Sequence, residues 1–236
     1  MTARRLIVNA DDLGLSAGVD RGIAEAHEHG IVTSASLMVR GRHATEAAAY
    51  ARDHPALSVG LHVDLAEWRH TGDGWVAEYE VVPPADAVAV ADEIRGQLER
   101  FVALVGRAPT HLDSHQHVHR EDPARMVVLE QGRRLGVPVR ELTAGIRFVG
   151  GFYGQSGRGE PWSEGVGVEA LEGLLRGLPP GTSELGCHPG LDGDSGSPYS
   201  RERTLETTTL CDQRVLATLR EEGIELCSFN EWHPCR

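Results

Sequence analysis

The sequence predicts an α/β fold built as a (β/α) barrel of about seven parallel strands. Short apolar runs alternate with helical patterns along all 236 residues, and repeated strand–helix–strand units imply a parallel sheet. No shift in composition marks a boundary, so residues 1–236 read as one domain, long enough for a substantial core. Polar residues also fall at the C-terminal ends of different predicted strands: Asp11 and Asp12, His62, His115 and His188. Catalytic groups of (β/α) barrels collect on that face. A doubly wound sheet would gather them at one switch point.

The elements follow in order. Leu6-Ile7-Val8 reads as a buried strand, and Ala17 to His29 as a helix with Ser16 as N-cap and Gly30 as C-cap. Ile31 to Val39 is β-branched and apolar, a second strand. Ala44 to Arg52 is helical and stops before Pro55; Leu57 to Leu65 is the third strand. A loop with Trp68, Arg69, His70, Asp73 and Trp75 precedes a long helical period from Ala85 to Val105. Pro109 to Asp113 is the fourth strand, and Pro123 to Leu135 a helix with proline at its start and Gly136 at its end. Val137 to Arg140 is the fifth strand, and 141–161 is Gly-rich and irregular. Helix Val168 to Leu178, strand Ser183 to Cys187, a polar loop over 192–200, helix Arg203 to Glu222 and strand Ile224 to Phe229 complete the chain.

Composition narrows the chemistry. The chain has no lysine; all 23 of its Lys+Arg positions are arginine. Schiff-base, lysine-base and Walker-type phosphate mechanisms are therefore excluded. The net charge of -12 speaks against nucleic acid and anionic membranes and provides a favourable field for a cation. The apolar run after Met1 is too short for a signal peptide, and no stretch approaches a membrane span. Cys187, Cys211, Cys227 and Cys235 show no CxxC spacing, so reduced thiols and a cytoplasmic location are expected.

Twelve histidines form the opposite extreme, four of them between residues 111 and 119. Adjacent Asp11 and Asp12 project in different directions, so one suits a metal while the other reaches a water; a capped turn is the plainer reading. His62 and Asp64 share a face of the third strand. In Thr110–His119, imidazoles are the natural metal ligands, and Asp113 is placed to orient one of them. Pro189 and Gly190 hold His188 at a strand tip, where it suits acid–base work. Cys187 points to the opposite face and is not expected to pair with it. Phe148, Phe152, Tyr153 and Trp162, set among glycines, are candidate pocket-lining residues.

These segments carry a family resemblance. Val8-Asn9-Ala10-Asp11-Asp12-Leu13-Gly14, Gly30 to Ser36, Gly60-Leu61-His62, Pro109 to His119 and Cys187-His188-Pro189 resemble, in order, the motifs of the YdjC family of carbohydrate deacetylases. The resemblance implies a TIM-like (β/α) barrel with one divalent metal and an N-acetylated sugar as small-molecule substrate, such as the N-acetylglucosamine units of chitooligosaccharides; it leaves a homodimer open. It implies Asp12, His62 and His115 as metal ligands, Asp11 as the catalytic carboxylate and His188 as the histidine near the leaving group. His117 and His119 carry no assigned role, and Gln116 stands where relatives have a further histidine. The cation expected is magnesium or zinc, then manganese, cobalt or nickel; histidine with carboxylate is less natural for magnesium. Asp11 would act as base toward water and an imidazolium at His188 as acid toward the departing amine. The same ligand types also suit a non-haem iron oxygenase, a phosphoesterase or a non-catalytic metal- or sugar-binding protein.

Overall fold

The computed structural model describes residues 3–191 and 199–232. Most of the predicted polar loop at 192–200, and the end of the chain with Cys235, lie outside the described residues. At the centre is β1 (Arg4–Leu13), whose apolar and β-branched start makes it buried from Leu6 onward. It pairs in parallel with β8 (Gly181–Cys187) along Arg4–Ala10. On its other side it meets β9 (Ile224–Leu226) and then β2 (Ser34–Leu37). Beyond β2 lie β3 (Ser58–Val63) and β6 (Leu112–Ser114); beyond β8 lies β7 (Ile146–Val149). The sheet thus has seven parallel strands.

This sheet curls. Three strands separate β6 from β8 in the order β6-β3-β2-β1-β8-β7. Flat strands spaced by about 4.8 Å would hold β6 and β8 roughly 19 Å apart. Yet the one guanidinium of Arg140 touches Asp113 of β6 at 2.8 Å and Glu184 of β8 at 2.6 Å. Only a half-barrel brings those strand faces around one interior. No pairing joins β6 to β7 among the described residues.

Helices cover the outside: α1 (Ala17–Glu28), α2 (Ala44–Asp53), α3 (Ala87–Val105), α4 (Ala124–Leu135), α5 (Val168–Arg176), α6 (Ser200–Leu210) and α7 (Gln213–Glu221). Ser16 caps α1 by accepting from Val19 N, as the sequence predicts. Its C-cap is His29 rather than Gly30. Gly30 instead makes a close approach, since a Cβ there would lie 2.5 Å from the carbonyl oxygen of Leu210. Gly136 ends α4 in the left-handed conformation, φ 70°.

Four predicted segments differ. The fifth strand contributes a single parallel bridge, Val139 to Leu112: Pro138 has no N–H to donate, and the chain turns away at Glu141, φ 60°. The irregular 141–161 stretch contains β7. The loop after β3 is an antiparallel hairpin, β4 (Ala66–Thr71) with β5 (Gly74–Glu80). The last long helix is broken at Cys211-Asp212, where Asp212 caps α7 by accepting from Arg214 N.

Candidate metal centre

Asp11 and Asp12 lie where the register of β1 against β2 shifts between Ala10 and Leu13. Asp12 has φ 68°, a left-handed conformation unusual for a side-chain-bearing residue. Such irregularities re-aim side chains, and here two neighbouring carboxylates reach separate partners. Asp12 turns Oδ1 toward two imidazoles, with His115 Nδ1 at 3.1 Å and His62 Nε2 at 3.4 Å. Its Oδ2 accepts from Arg203 of α6.

His62 comes from β3, in register with Asp113 of β6. Its Nδ1 lies 2.8 Å from Asp113 Oδ1, which leaves Nε2 facing Asp12. A carboxylate behind an imidazole in this way fixes ring orientation and raises ligand basicity. Burial disfavours a charged His62, but Asp113 and Asp11 outweigh it and lift the ring to about 10. A cation would compete with that proton. His115 follows β6 directly, and its Nε2 is buried without a hydrogen-bond partner.

Asp12, His62 and His115 offer ligand atoms that all lie within 4.8 Å of one another. The donor types, the orphaned nitrogen and the Asp113 support together fit a divalent cation. Asp11, His62 and Asp113 form a second such group. That group already encloses a cation of its own, because Arg140 donates to Asp11 at 2.6 and 2.7 Å and lies 2.8 Å from Asp113. We therefore take the first group as the candidate centre.

Asp11 also receives Asn9 Nδ2 at 3.0 Å. Burial would raise its carboxyl, but Arg140 overrides this and holds it below the usual carboxylate range. His188 follows β8, with Nε2 3.8 Å from Asp11 Oδ2 and Nδ1 unpartnered. Burial pushes His188 down to about 4, against the pull of Asp11 and Asp12. Tyr153 sets its ring edgewise to His188 at 4.9 Å.

The other predicted residues take different places. His111 is a core residue stacked on Phe229 at 3.9 Å. His119 Nδ1 meets Ser114 Oγ at 2.6 Å, and His117 packs against Phe148. Asp64 fastens the hairpin through Tyr79 rather than orienting a ligand. Cys187 points its sulfur to the Asn9 carbonyl, and burial pushes the thiol up. Sequence reasoning missed several buried charges, among them Arg140, Glu184, Arg203 and Glu206. Arg140 closes a predicted strand and carried the same strand-tip signal as the aspartates. Glu206 accepts the His188 backbone N–H at 2.5 Å. Arg203 and Glu206 sit in a helix rich in charged and threonine residues, a pattern that usually marks a solvated face.

A cleft of about 1430 Å³ opens over the centre, with Asp11, Asp12, His62, His115 and His188 on its lining and Trp75 on its wall. The family model for YdjC-like proteins matches residues 5–221, and the chain belongs to that family. A carbohydrate deacetylase of Geobacillus stearothermophilus is 34% identical, with 98% of each chain covered. A chitooligosaccharide deacetylase of Serratia marcescens is also 34% identical, over 96% of this chain and 98% of its own. A solved Enterococcus faecalis protein superposes with a TM-score of 0.80 at 25% identity, covering 97% of this chain and 98% of its own.

Proposed function

We propose that the protein is a metal-dependent carbohydrate deacetylase, a single domain that hydrolyses the acetamide of an N-acetylated sugar. The substrate class is N-acetylglucosamine units of chitooligosaccharides or a related acetylated carbohydrate. The full-length similarity to two deacetylases supports the reaction class. The observation that carries the reading is the convergence of Asp12, His62 and His115, whose ligand atoms lie within 4.8 Å of one another, beside Asp11 and His188 in one cleft.

Asp12, His62 and His115 would hold one divalent ion, magnesium or zinc first and manganese, cobalt or nickel next. Such an ion polarises an acyl carbonyl and acidifies a water. Arg203 restricts Asp12 to one free oxygen, the one that faces both imidazoles. Asp11 is ionised at neutrality and accepts the proton of the attacking water. Arg140 lowers its basicity but fixes both oxygens, so orientation is gained at some cost in proton affinity. An amine leaves poorly unless protonated, and His188 beside Asp11 is the donor. Its Nε2 lies 3.8 Å from Asp11 Oδ2, close enough for the proton taken by Asp11 to pass to His188 and on to the amine. The half-barrel belongs, in this reading, to the TIM-like (β/α) barrels. Cys187, Cys211 and Cys227 are free thiols, which suits a cytoplasmic setting. No helix of the described residues is long and apolar enough to cross a membrane.

The test is acetate release from N-acetylglucosamine, its oligomers and other acetylated sugars with added zinc, magnesium, manganese or cobalt. We expect release that chelation abolishes and metal restores. Metal binding without acetate from any sugar would sink the enzymatic reading.

A further inference from the structure

The β4–β5 hairpin stands apart from the parallel sheet; its strands pair only with each other, and most of β5 is exposed. An isolated two-stranded hairpin is marginal in water, so its position depends on what fastens it. At its base, Tyr79 donates to Asp64 Oδ1 at 2.8 Å and Val81 N donates to Leu65 O at 2.8 Å. Near its tip it meets the turn at Gly159, where a Cβ would lie 3.6 Å from His70 and 3.8 Å from Trp75.

The fastening between these is Gln116. Its Oε1 accepts from Trp68 N–H at 2.9 Å, and its Nε2 donates to the Trp68 carbonyl at 2.9 Å. The side-chain amide thus supplies one rung of a β-ladder to the outer edge of β4. Gln116 and His117 both have positive φ, 48° and 55°, which non-glycine residues adopt only at a cost. The turn sends three successive side chains to three destinations: His115 to Asp12, Gln116 to Trp68, His117 to Phe148. The residue beside a metal-group histidine therefore also holds the hairpin. Glu67, Trp68, His70 and Trp75 of that hairpin line the cleft. Trp75 is 56% exposed there, a free aromatic surface of the kind that packs against the apolar face of a sugar ring.

We propose that Gln116 is a positioning residue that latches the β4–β5 hairpin to the tip of β6 and so sets affinity and chain-length preference for the acetylated sugar. The proposal rests on the deacetylase reading. The experiment compares the metal-loaded wild type with Gln116→Ala and Gln116→Gly on N-acetylglucosamine and its oligomers. Gln116 is exposed, and glycine adopts φ near 50° freely, so Gln116→Gly removes the amide while sparing the turn.

Both variants should raise KM for the oligomers about five- to tenfold with kcat within about twofold, the pattern of lost uniform binding. Bound metal should be unchanged, and amide hydrogen exchange over residues 66–80 should quicken. Gln116→Glu, which still accepts from Trp68 N–H, should recover part of the loss. Trp75→Ala should raise KM similarly, and adding it to Gln116→Ala should cost little more. If the wild type releases acetate and both Gln116 variants keep its KM, the latch is wrong and the deacetylase reading stands. Loss of kcat together with metal would assign Gln116 to the His115 turn and also overturn the latch. A wild type that releases no acetate from any sugar would overturn the reading and the latch together.

Discussion

Two buried groups on neighbouring strand tips are built from the same kinds of residue and behave in opposite ways. Around Arg140, the carboxylates of Asp11, Asp113 and Glu184 surround a guanidinium whose side chain is fully buried. Around Asp12, two imidazoles share one oxygen, and His115 Nε2 has no partner. The first group carries its own counter-charge and ties β1, β6 and β8 together. The second has donors converging with capacity left over. An arginine meets carboxylate in both groups, Arg140 in the first and Arg203 in the second; the difference is that Arg203 takes only Asp12 Oδ2 and leaves Oδ1 facing the two imidazoles. Asp11 sits on the border, gripped by Arg140 and 3.8 Å from His188.

That border position is the first place to break the comparison. Asp11→Asn keeps the shape and a hydrogen-bonding group but removes the base. Turnover should fall by roughly two to four orders of magnitude, the usual contribution of a positioned base. Bound metal, measured by titration or elemental analysis, should stay at the wild-type level. Loss of metal in this variant would place Asp11 among the ligands and erase the distinction between the groups.

The second test addresses the group around Arg140. Arg140→Met removes the cation and leaves three buried carboxylates with one another. Removing one partner from a buried ionic group costs about 3–5 kcal/mol, which for a chain of this size lowers Tm by roughly 10 °C. Without Arg140 the folded carboxyls would bind protons more tightly than in the unfolded chain. Their contribution to stability is then present at low pH and lost as pH rises through the raised values. The deficit should therefore shrink on acidification toward pH 5. A deficit that does not change with pH would mean that lost packing, not charge, is the cause.

The contrast also explains what was legible in the chain. The strand tips were readable because each combines an apolar run with a polar end, as Val8-Asn9-Ala10-Asp11-Asp12 and Gly186-Cys187-His188 do. The candidate ligands Asp12, His62 and His115 were singled out by the family resemblance, and Asp113 by its alternation with His111 and His115. Arg203 and Glu206 were not readable. Their helix looks solvated, and only the fold reveals that α6 turns Arg203 onto Asp12 and Glu206 onto the His188 backbone. The hairpin was missed because Trp68 to Trp75 alternates weakly and pairs only with itself. The fifth strand was overcalled because apolar Val137 and Val139 flank a proline that cannot donate to a ladder.

The smallest expected effect concerns His111, a histidine of the same motif that belongs wholly to the core. Its ring stacks on Phe229, and its Nε2 and Nδ1 lie 3.0 Å from Ser36 Oγ and Thr110 Oγ1. A Cβ on Gly60 would lie 2.5 Å from the ring, so only glycine fits there. Burial pushes His111 down to about 4, with Arg140 adding to the push and Asp113 opposing it. An unfolded histidine titrates near 6.5. A depressed value means that this contribution is present above about pH 6.5 and is lost as pH falls toward 4, amounting to about 3 kcal/mol. Glu184 and Glu206, pushed up by burial to about 7 and 8, act with the opposite sign on acidification. The informative quantity is therefore a difference. Urea unfolding of the wild type and His111→Leu between pH 7 and pH 4.5 should show the variant less stable at pH 7, with the gap closing on acidification. A constant gap would mean that His111 binds its proton as readily in the folded as in the unfolded chain, and that it does not belong with the closed core.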